Sequence, residues 1–387
     1  MTERSKKEYL EAVRPRYRRA GKKEKGRILD EAVTVTGYHR KAVIRIFGSV
    51  SPEAPKKRPG RQRRYGADLV PVLKDLWEAA DRICPQRLKP FLPELMEVLW
   101  RHGDSRLTTR VREQLGAMSA STMERLIKPL REKDGRRTFT TTTPGSLLKG
   151  SIPIRTFSEW NDRRPGFLEI DLVAHCGDSA EGFFLYTLTA VDIATGWTEC
   201  EPVWGKAQLH VRSAIHQVLR RVPFPVLGLD SDNGSEFINH ELFAYCQRRG
   251  ITFTRSRPYQ KNDSAHVEQK NGQVVRRLVG YDRYISHKAL EALRALYGAV
   301  RHYSNFFQPV MQLQRKTRNG ARVRKEYDTA TTPYRRLLAS PQLTDRQQNQ
   351  LSATYKGIDP RRLLGFIHGH QERLWKLAVH PPQTVLR

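Results

Sequence analysis

The chain has 387 residues, with 69 Lys and Arg against 40 Asp and Glu, a formal net charge of +29. An ordinary solvated surface mixes both signs, so a surplus of this size excludes a neutral metabolic enzyme surface and marks a polyanion binder. Cys84, Cys176, Cys200 and Cys246 are scattered, without zinc-ligand spacing or a secretory signal, and read as ordinary thiols of a reducing cytosol. No apolar run approaches the roughly 18 residues of a membrane span, so a soluble, cytoplasmic, nucleoid-associated protein is expected, with no membrane partner and no small-molecule substrate. The length suggests two to four domains.

Residues 1–50 read as a small helical unit. After a helix around Lys6–Arg16, Ile28, Leu29, Ala32 and Val33 form one helical face and Ala42, Val43 and Ile46 another, with Gly37 in the tight connection. This spacing predicts a helix-turn-helix whose second helix, Tyr38–Phe47, enters a DNA groove. His39, Arg40, Lys41 and Arg45 are then the residues to touch bases or phosphates. A helical hairpin with a merely solvated basic face is the alternative.

Residues 51–66 form a basic linker. In PKKRPGRQRRYG, Pro and Gly interrupt six cationic side chains, so no regular element can form. Arg61, Arg63 and Arg64 are candidates to lie along phosphates or reach into a minor groove. Residues 67–135 are helical again, with 3.6-residue apolar spacing in LVPVLKDLWEAADRI and LPELMEVLWRHG. Ser121 and Glu124 suggest a capping box opening a second reading helix over Thr122–Leu130. Simple packing of these helices on one another is the alternative. Residues 136–164 form a low-complexity connector.

Residues 165–280 hold the chemistry. FLEIDLVAH, FFLYTLTAVDI and GWTECEPVW read as three strands, followed by a helix (QLHVRSAIHQVLRRV), a short buried strand (PVLGLD), a helix over about 239–248, the strand ITFTRS and a helix over about 264–279. The order βββαβαβα defines a mixed sheet with helices on both faces, the ribonuclease-H-like architecture. Asp171 falls in the middle of the first strand. Asp232 falls just past the fourth, where α/β sheets place ligands. Glu268 falls near the start of the last helix, one turn past a cap at Asp263 or Ser264. Three carboxylates converging without a basic partner repel one another and need divalent cations between them. A paired Mg²⁺ site, with Mn²⁺ as a substitute, is how proteins run in-line phosphoryl displacement on nucleic acid.

Neighbouring groups have blander roles. Asp230 lies two residues before Asp232, but the spacing favours Asp232 as the ligand. Asp192 in the DIATGW turn reads as a turn cap, Gly234 shapes the loop, and His175 and His266 read as structural.

Residues 165–280 resemble the integrase-type core of DDE transposases, the class that includes retroviral integrases. The resemblance rests on Asp171 in EIDLVAH, Asp232 in SDNGSEF, and Glu268 in RPYQKNDSAHVEQKNG, with thirty-five residues between the last two acids. GYHRKAVIR near the start and NFFQPV…TPYRRLL near the end resemble bacterial insertion-sequence transposases of the poorly classified, ISNCY-like kind. The resemblance implies that Asp171, Asp232 and Glu268 hold two Mg²⁺ ions. It also implies that the protein frees a 3′-OH at the ends of an element and joins it to target DNA, as a homo-multimer on terminal inverted repeats. The retroviral His/Cys zinc domain is absent. The Lys positions one and two turns after the last acid are occupied by Gly272 and Val275, which leaves those DNA contacts to Lys270, Arg276 or Arg277.

Residues 281–387 read as a small basic C-terminal region: a helix over 287–307, a hairpin signalled by Asn319-Gly320 with Arg and Lys on one face, and helices over about 344–356 and 359–377. The expected whole is a multidomain α + α/β protein, with N-terminal helix-turn-helix units before a ribonuclease-H-like mixed sheet flanked by helices. Two other functions share these features. One is a ribonuclease-H-like nuclease or resolvase that cuts without joining; the other is a DNA-binding regulator whose acids are silent.

Overall fold

The computed structural model describes residues 1–49, 65, 66, 68–131, 164–232, 234, 236, 237, 239–256, 265–320 and 322–379. Two compact units result, Met1–Arg64 and Tyr65–Arg387. Arg61, Arg63 and Arg64 of the expected basic linker, and Asp263 and Ser264 of the expected cap, lie outside the described residues.

The first unit contains three helices, α1 (Glu3–Arg19), α2 (Lys22–Thr36) and α3 (Arg40–Gly48). Thr2 starts α1 by accepting the Ser5 N–H, and α2 ends on Gly37 at φ +69°, a left-handed turn that suits glycine. Leu10, Ile28, Leu29, Ala32, Val43 and Phe47 close the core, with the Tyr17 ring 4.8 Å from Phe47. The buried face of α3 is thus Val43 and Phe47, while the expected Ala42 and Ile46 flank it half-buried.

The second unit opens with α4 (Leu69–Ala79), α5 (Pro85–Arg101), α6 (Thr109–Gly116) and α7 (Ala120–Ile127). The cap of α7 is Ser119, whose hydroxyl accepts the Thr122 N–H at 3.2 Å, two residues before the expected Ser121. Glu124 pairs with Arg131 instead of reaching back to the cap. These helices share one hydrophobic cluster with the sheet and the C-terminal helices. Polar ties accompany the packing: Tyr303 donates to the Ala79 carbonyl at 2.7 Å, and Glu94 accepts from Arg335 and Tyr355.

The sheet has five strands, β1 (Phe167–Ala174), β2 (Tyr186–Asp192), β3 (Thr198–Val203), β4 (Gly228–Ser231) and β5 (Thr252–Arg255), in the order β3-β2-β1-β4-β5. The first three are an antiparallel meander, while β4 and β5 run parallel to β1. The chain enters β1 through Gly166, held at φ +125°, where a Cβ would sit 2.7 Å from the Pro225 carbonyl oxygen. Helices α8 (Gln208–Arg221) and α9 (His240–Arg248) connect the later strands. Helix α10 (Ala265–Lys270) passes into a π-helical segment (Asn271–Arg276) and a last turn, α11 (Arg277–Val279). Helix α12 (His287–Phe307) packs on β3.

The edge strand β3 is protected by charge satisfied inside the fold. Glu199, 1% exposed, accepts from Arg301 (2.9 Å), Arg221 (3.2 Å) and Trp197 Nε1 (3.0 Å). A two-stranded sheet, β6 (Leu313–Asn319) with β7 (Arg322–Tyr327), follows α12. Helices α13 (Pro333–Leu338), α14 (Asp345–Gly357) and α15 (Pro360–Trp375) complete the unit. A true capping box between Thr344 and Gln347 begins α14. No described helix is long and apolar enough to cross a membrane.

Candidate active site

The parallel ladder pairs Phe167 with Gly228 and continues to Ile170 with Ser231. One step further in that register stand Asp171, mid-strand in β1, and Asp232, the first residue past β4. Side chains alternate along a strand, so Glu169 and Asp171 of β1 share a face with Asp230 and Asp232. The four carboxylates form two layers. Glu169 and Asp230, 2% and 1% exposed, lie deep; Asp171 and Asp232, half-buried, lie at the open end of the sheet. The deep Asp230 accepts the Thr254 hydroxyl at 2.5 Å across the β4–β5 ladder. The fold therefore separates the two neighbours physically, burying Asp230 and presenting Asp232.

Helix α10 lies along this acidic face. The backbone N–H of Val267 donates to Glu169 Oε2 at 2.9 Å, and Asn271 Nδ2 donates to Asp171 Oδ2 at 2.7 Å. Four residues of helix rise about 6 Å and two residues of strand about 6.7 Å. Steps 267→271 and 169→171 therefore match, and the helix is fastened to β1 at two successive points. Glu268 sits between those ties, one residue after the Glu169 contact.

Electrostatics follow from this crowding. Burial first, then the charges of Asp232 and Glu268, push the Asp171 carboxyl up to about 7, against the help of the Leu172 N–H and Asn271. Burial likewise raises Asp232, whose Oδ1 accepts the Gly234 N–H at 2.9 Å. Glu169 is pushed up to about 8, by burial and by Asp230 and Glu268. A hard-oxygen set of mutually repelling carboxylates is the donor chemistry that divalent cations take, and a bound cation would reverse these upward shifts. Asn271 Oδ1 is buried beside Asp171 without a hydrogen-bond partner, a spare acceptor for water around such an ion. Among the described residues no three His, Cys, Asp or Glu side chains are close enough together to hold an ion as they stand. Asp171 feels the charges of both Asp232 and Glu268, but the three acids do not form a single coordination sphere.

The other expected residues separate. Lys270 is turned inward: 6% exposed, it lines a partly open pocket with Arg87, and burial with the nearby Arg87 lowers it to about 8. Arg277 points to Asp81, with which it pairs. Arg276 is half-buried, its guanidinium 4.7 Å from the Tyr281 ring centroid and within electrostatic range of Asp171. Lys270 precedes the π-helical segment and lies about 200° round an ordinary α-helix from Glu268; the segment bears on Arg276 and Arg277 alone. Each turn there takes more residues than an α-turn, so positions counted from Glu268 at 3.6 residues per turn drift off the expected face.

His175 is fully buried, bonded to the Thr187 hydroxyl at 2.7 Å and lowered by burial to about 3, so it stays neutral. Asp192 caps its turn, accepting Thr195 N–H at 2.8 Å and Gly166 N–H at 2.8 Å. In the first unit, His39 caps α3 through Nδ1, Arg40 pairs with Asp30, and Lys41 and Arg45 are exposed. Glu169 and Asn271 were not among the expected site residues. The only hints were positional, two residues before Asp171 and three after Glu268.

A sheet in this order, with two carboxylates side by side at its open end and a third on the helix laid over it, defines a ribonuclease-H-like core of the polynucleotidyl-transferase class. The family model described as "Integrase core domain" matches residues 161–261, a stretch that takes in Asp171 and Asp232 and stops before Glu268. An uncharacterized protein, y4rM, of Sinorhizobium fredii (strain NBRC 101917 / NGR234) is 46% identical over 331 residues, 85% of this chain and 94% of that protein. The Gag-Pol polyproteins of avian reticuloendotheliosis virus and bovine immunodeficiency virus are 29% and 33% identical over 94 and 92 residues, 24% of this chain and only 8% and 6% of theirs. The catalytic core of bovine immunodeficiency virus integrase overlaps 45% of this chain and 93% of its own, at 20% identity and a TM-score of 0.27, which adds nothing to the strand order already described. The chain belongs to the integrase-core family of DDE-type transposases and integrases.

Proposed function

We propose that the protein is a DNA transposase that cleaves the ends of an insertion sequence to free 3′-OH groups and joins these to target DNA. The observation that carries this reading is the register of β1 and β4, which sets Asp171 beside Asp232 while two hydrogen bonds hold the Glu268 helix over them. Asp171, Asp232 and Glu268 are the residues to hold two divalent cations, Mg²⁺ or in its place Mn²⁺. When bound, these supply the charge neutralisation that an in-line phosphodiester displacement needs at its attacking and leaving oxygens.

The chain's own residues do the rest. Asn271 fixes the Asp171 carboxylate, and Glu169 anchors the first turn of α10, so that Glu268 cannot drift from the sheet. Arg276, backed by Tyr281, offers a cation to a phosphate near Asp171. Lys41 and Arg45 on α3, and the α7 region in the second unit, are the proposed DNA-reading elements in helix-turn-helix arrangements, with the segment holding Arg61, Arg63 and Arg64 tracking phosphates. Joining two ends in concert calls for a homo-multimer on DNA.

The test is strand transfer with full-length protein, Mg²⁺ and a precleaved DNA end taken from the inverted repeats that flank the gene. The expected result is a joined product that Asp232→Ala and Glu268→Gln abolish while DNA binding persists. Hydrolysis without any joined product would establish the nuclease reading instead. Binding with no cleavage, indistinguishable between wild type and Asp232→Ala, would establish the regulator.

A further inference from the structure

The β6–β7 hairpin is built unlike the rest of the fold. A sheet face ordinarily buries against another layer, and an isolated two-stranded hairpin is marginal in water. Here every described side chain of both strands is exposed except Glu326, which is half-buried. The register pairs Arg315 with Glu326, Thr317 with Arg324 and Asn319 with Arg322 on one face, and Leu313 with Tyr327 and Arg318 with Val323 on the other. Cations therefore project from both faces, not from one as the sequence suggested. The strands hold six Lys and Arg against one acid, and among the described residues Glu326 pairs with Arg324, at 3.2 Å. Leu313, Val323 and Tyr327 are 37%, 45% and 48% exposed on the same face as Arg318 and Lys325.

The root of the hairpin is fixed as firmly as its blade is bare. Gln312 N–H donates to Asp328 Oδ1 at 2.7 Å, and Arg336 binds Asp328 Oδ2 at 2.7 Å and the Val310 carbonyl at 2.9 Å. Val310 and Thr331 bond reciprocally just outside. Gln312 Nε2 then donates to the carbonyls of Ile193 (3.1 Å) and Ala194 (2.8 Å), in the turn between β2 and β3. The root is thereby tied to the sheet at the end where β1 begins. Gly320, at φ +59°, makes the tip.

We propose that this hairpin is a DNA-clasping arm whose ribbon lies in a groove of duplex DNA, its arginines and lysines against the flanking phosphates. Charge selects the occupant. A second copy of the chain would bring two cationic ribbons together, whereas DNA presents one phosphate per about 1.7 Å of helix axis. Shape agrees. Two strands about 4.8 Å apart, the longer of seven residues and about 23 Å, fit a major groove about 12 Å wide, which admits a two-stranded ribbon. The contacts are with the backbone, so the arm contributes affinity and alignment rather than sequence choice. The proposal rests on the reading that the protein works on DNA.

The test compares full-length wild type with the Arg315→Ala/Arg324→Ala/Lys325→Ala variant and with Arg315→Lys/Arg324→Lys, on several unrelated duplexes across a salt series. The alanine variant is expected to flatten the plot of log K against log salt by about 0.9 per lost phosphate contact, about 2–3 in all, equally on every duplex. The lysine variant keeps the wild-type slope, and thermal midpoints stay together because the altered side chains are exposed. An unchanged slope in the alanine variant overturns the proposal. So does a loss of self-association in place of the slope change, which would make the hairpin a chain–chain surface. Strand transfer by the wild type is scored beside this. Joining with an unmoved slope removes the arm and leaves the transposase, while a flattened slope without joining removes the transposase and leaves the arm.

Discussion

Asp171→Asn separates what the acidic cluster does for chemistry from what it costs the fold. The folded chain holds the Asp171 proton up to about 7 from an ordinary 3.8, roughly three pK units, and each unit is about 1.4 kcal/mol. The ceiling is therefore about 4 kcal/mol. Asp171 is only half-buried and shares its field with two other acids, so about 1–4 kcal/mol is the working range. Because the unfolded chain releases this proton first, stability falls as pH rises from about 4 through about 7 and levels above that. Asparagine carries no charge, and its carbonyl can still accept from the Asn271 amide. At pH 8, without divalent cation, the variant should melt roughly 2–10 °C above wild type, with a flatter pH dependence between 4 and 7. Mg²⁺ should raise the wild-type midpoint much more than the variant's. Differential scanning calorimetry with and without EDTA reads all three. A variant that melts at or below wild type at pH 8, with the same pH dependence, would refute the electrostatic account.

Three further outcomes are expected. Asn271→Ala removes a hydrogen bond that favours ionised Asp171, so the acid limb of the activity–pH profile should move about 0.5–1 unit to higher pH; an unmoved limb counts against that bond. Glu169→Ala leaves the Val267 N–H without its acceptor, costing about 1–2 kcal/mol in urea unfolding. It should also depress kcat more than DNA affinity, with Glu169→Gln recovering much of both. Arg301→Ala strips one of two arginines from the buried Glu199, which should cost about 3 kcal/mol in the same unfolding assay with no change in the metal dependence of activity.

Much of the architecture could be read from residue order. Helix α12 was expected over 287–307 and spans His287–Phe307, and the eight core elements follow the expected succession. Strong local periodicity made them visible: buried strands read as continuous apolar runs and surface helices as a 3.6-residue stripe. Caps were harder. Ser121 with Glu124 has the spacing of a capping box, but Ser119 takes the role, because the helix start depends on where the preceding turn leaves the chain. Lys270 is the sharper lesson. A lysine two residues after Glu268, a candidate catalytic acid, looks like a phosphate contact, yet it is buried and lines the pocket beside Arg87.

Composition and spacing by themselves pointed to a polyanion partner and singled out Asp171, Asp232 and Glu268 as the candidate acids, since net charge and motif spacing are properties of the chain alone. Only the folded sheet decided that Asp232 rather than Asp230 is presented, that Glu169 and Asn271 tie the helix of Glu268 to β1, and that Lys270 is buried and Arg277 paired with Asp81. Those outcomes hang on pairing between residues about sixty to a hundred positions apart and, for Arg276 and Arg277, on one π-helical segment. Neither leaves a local trace, because the bonds that set them join side chains and strands that meet only when the sheet closes.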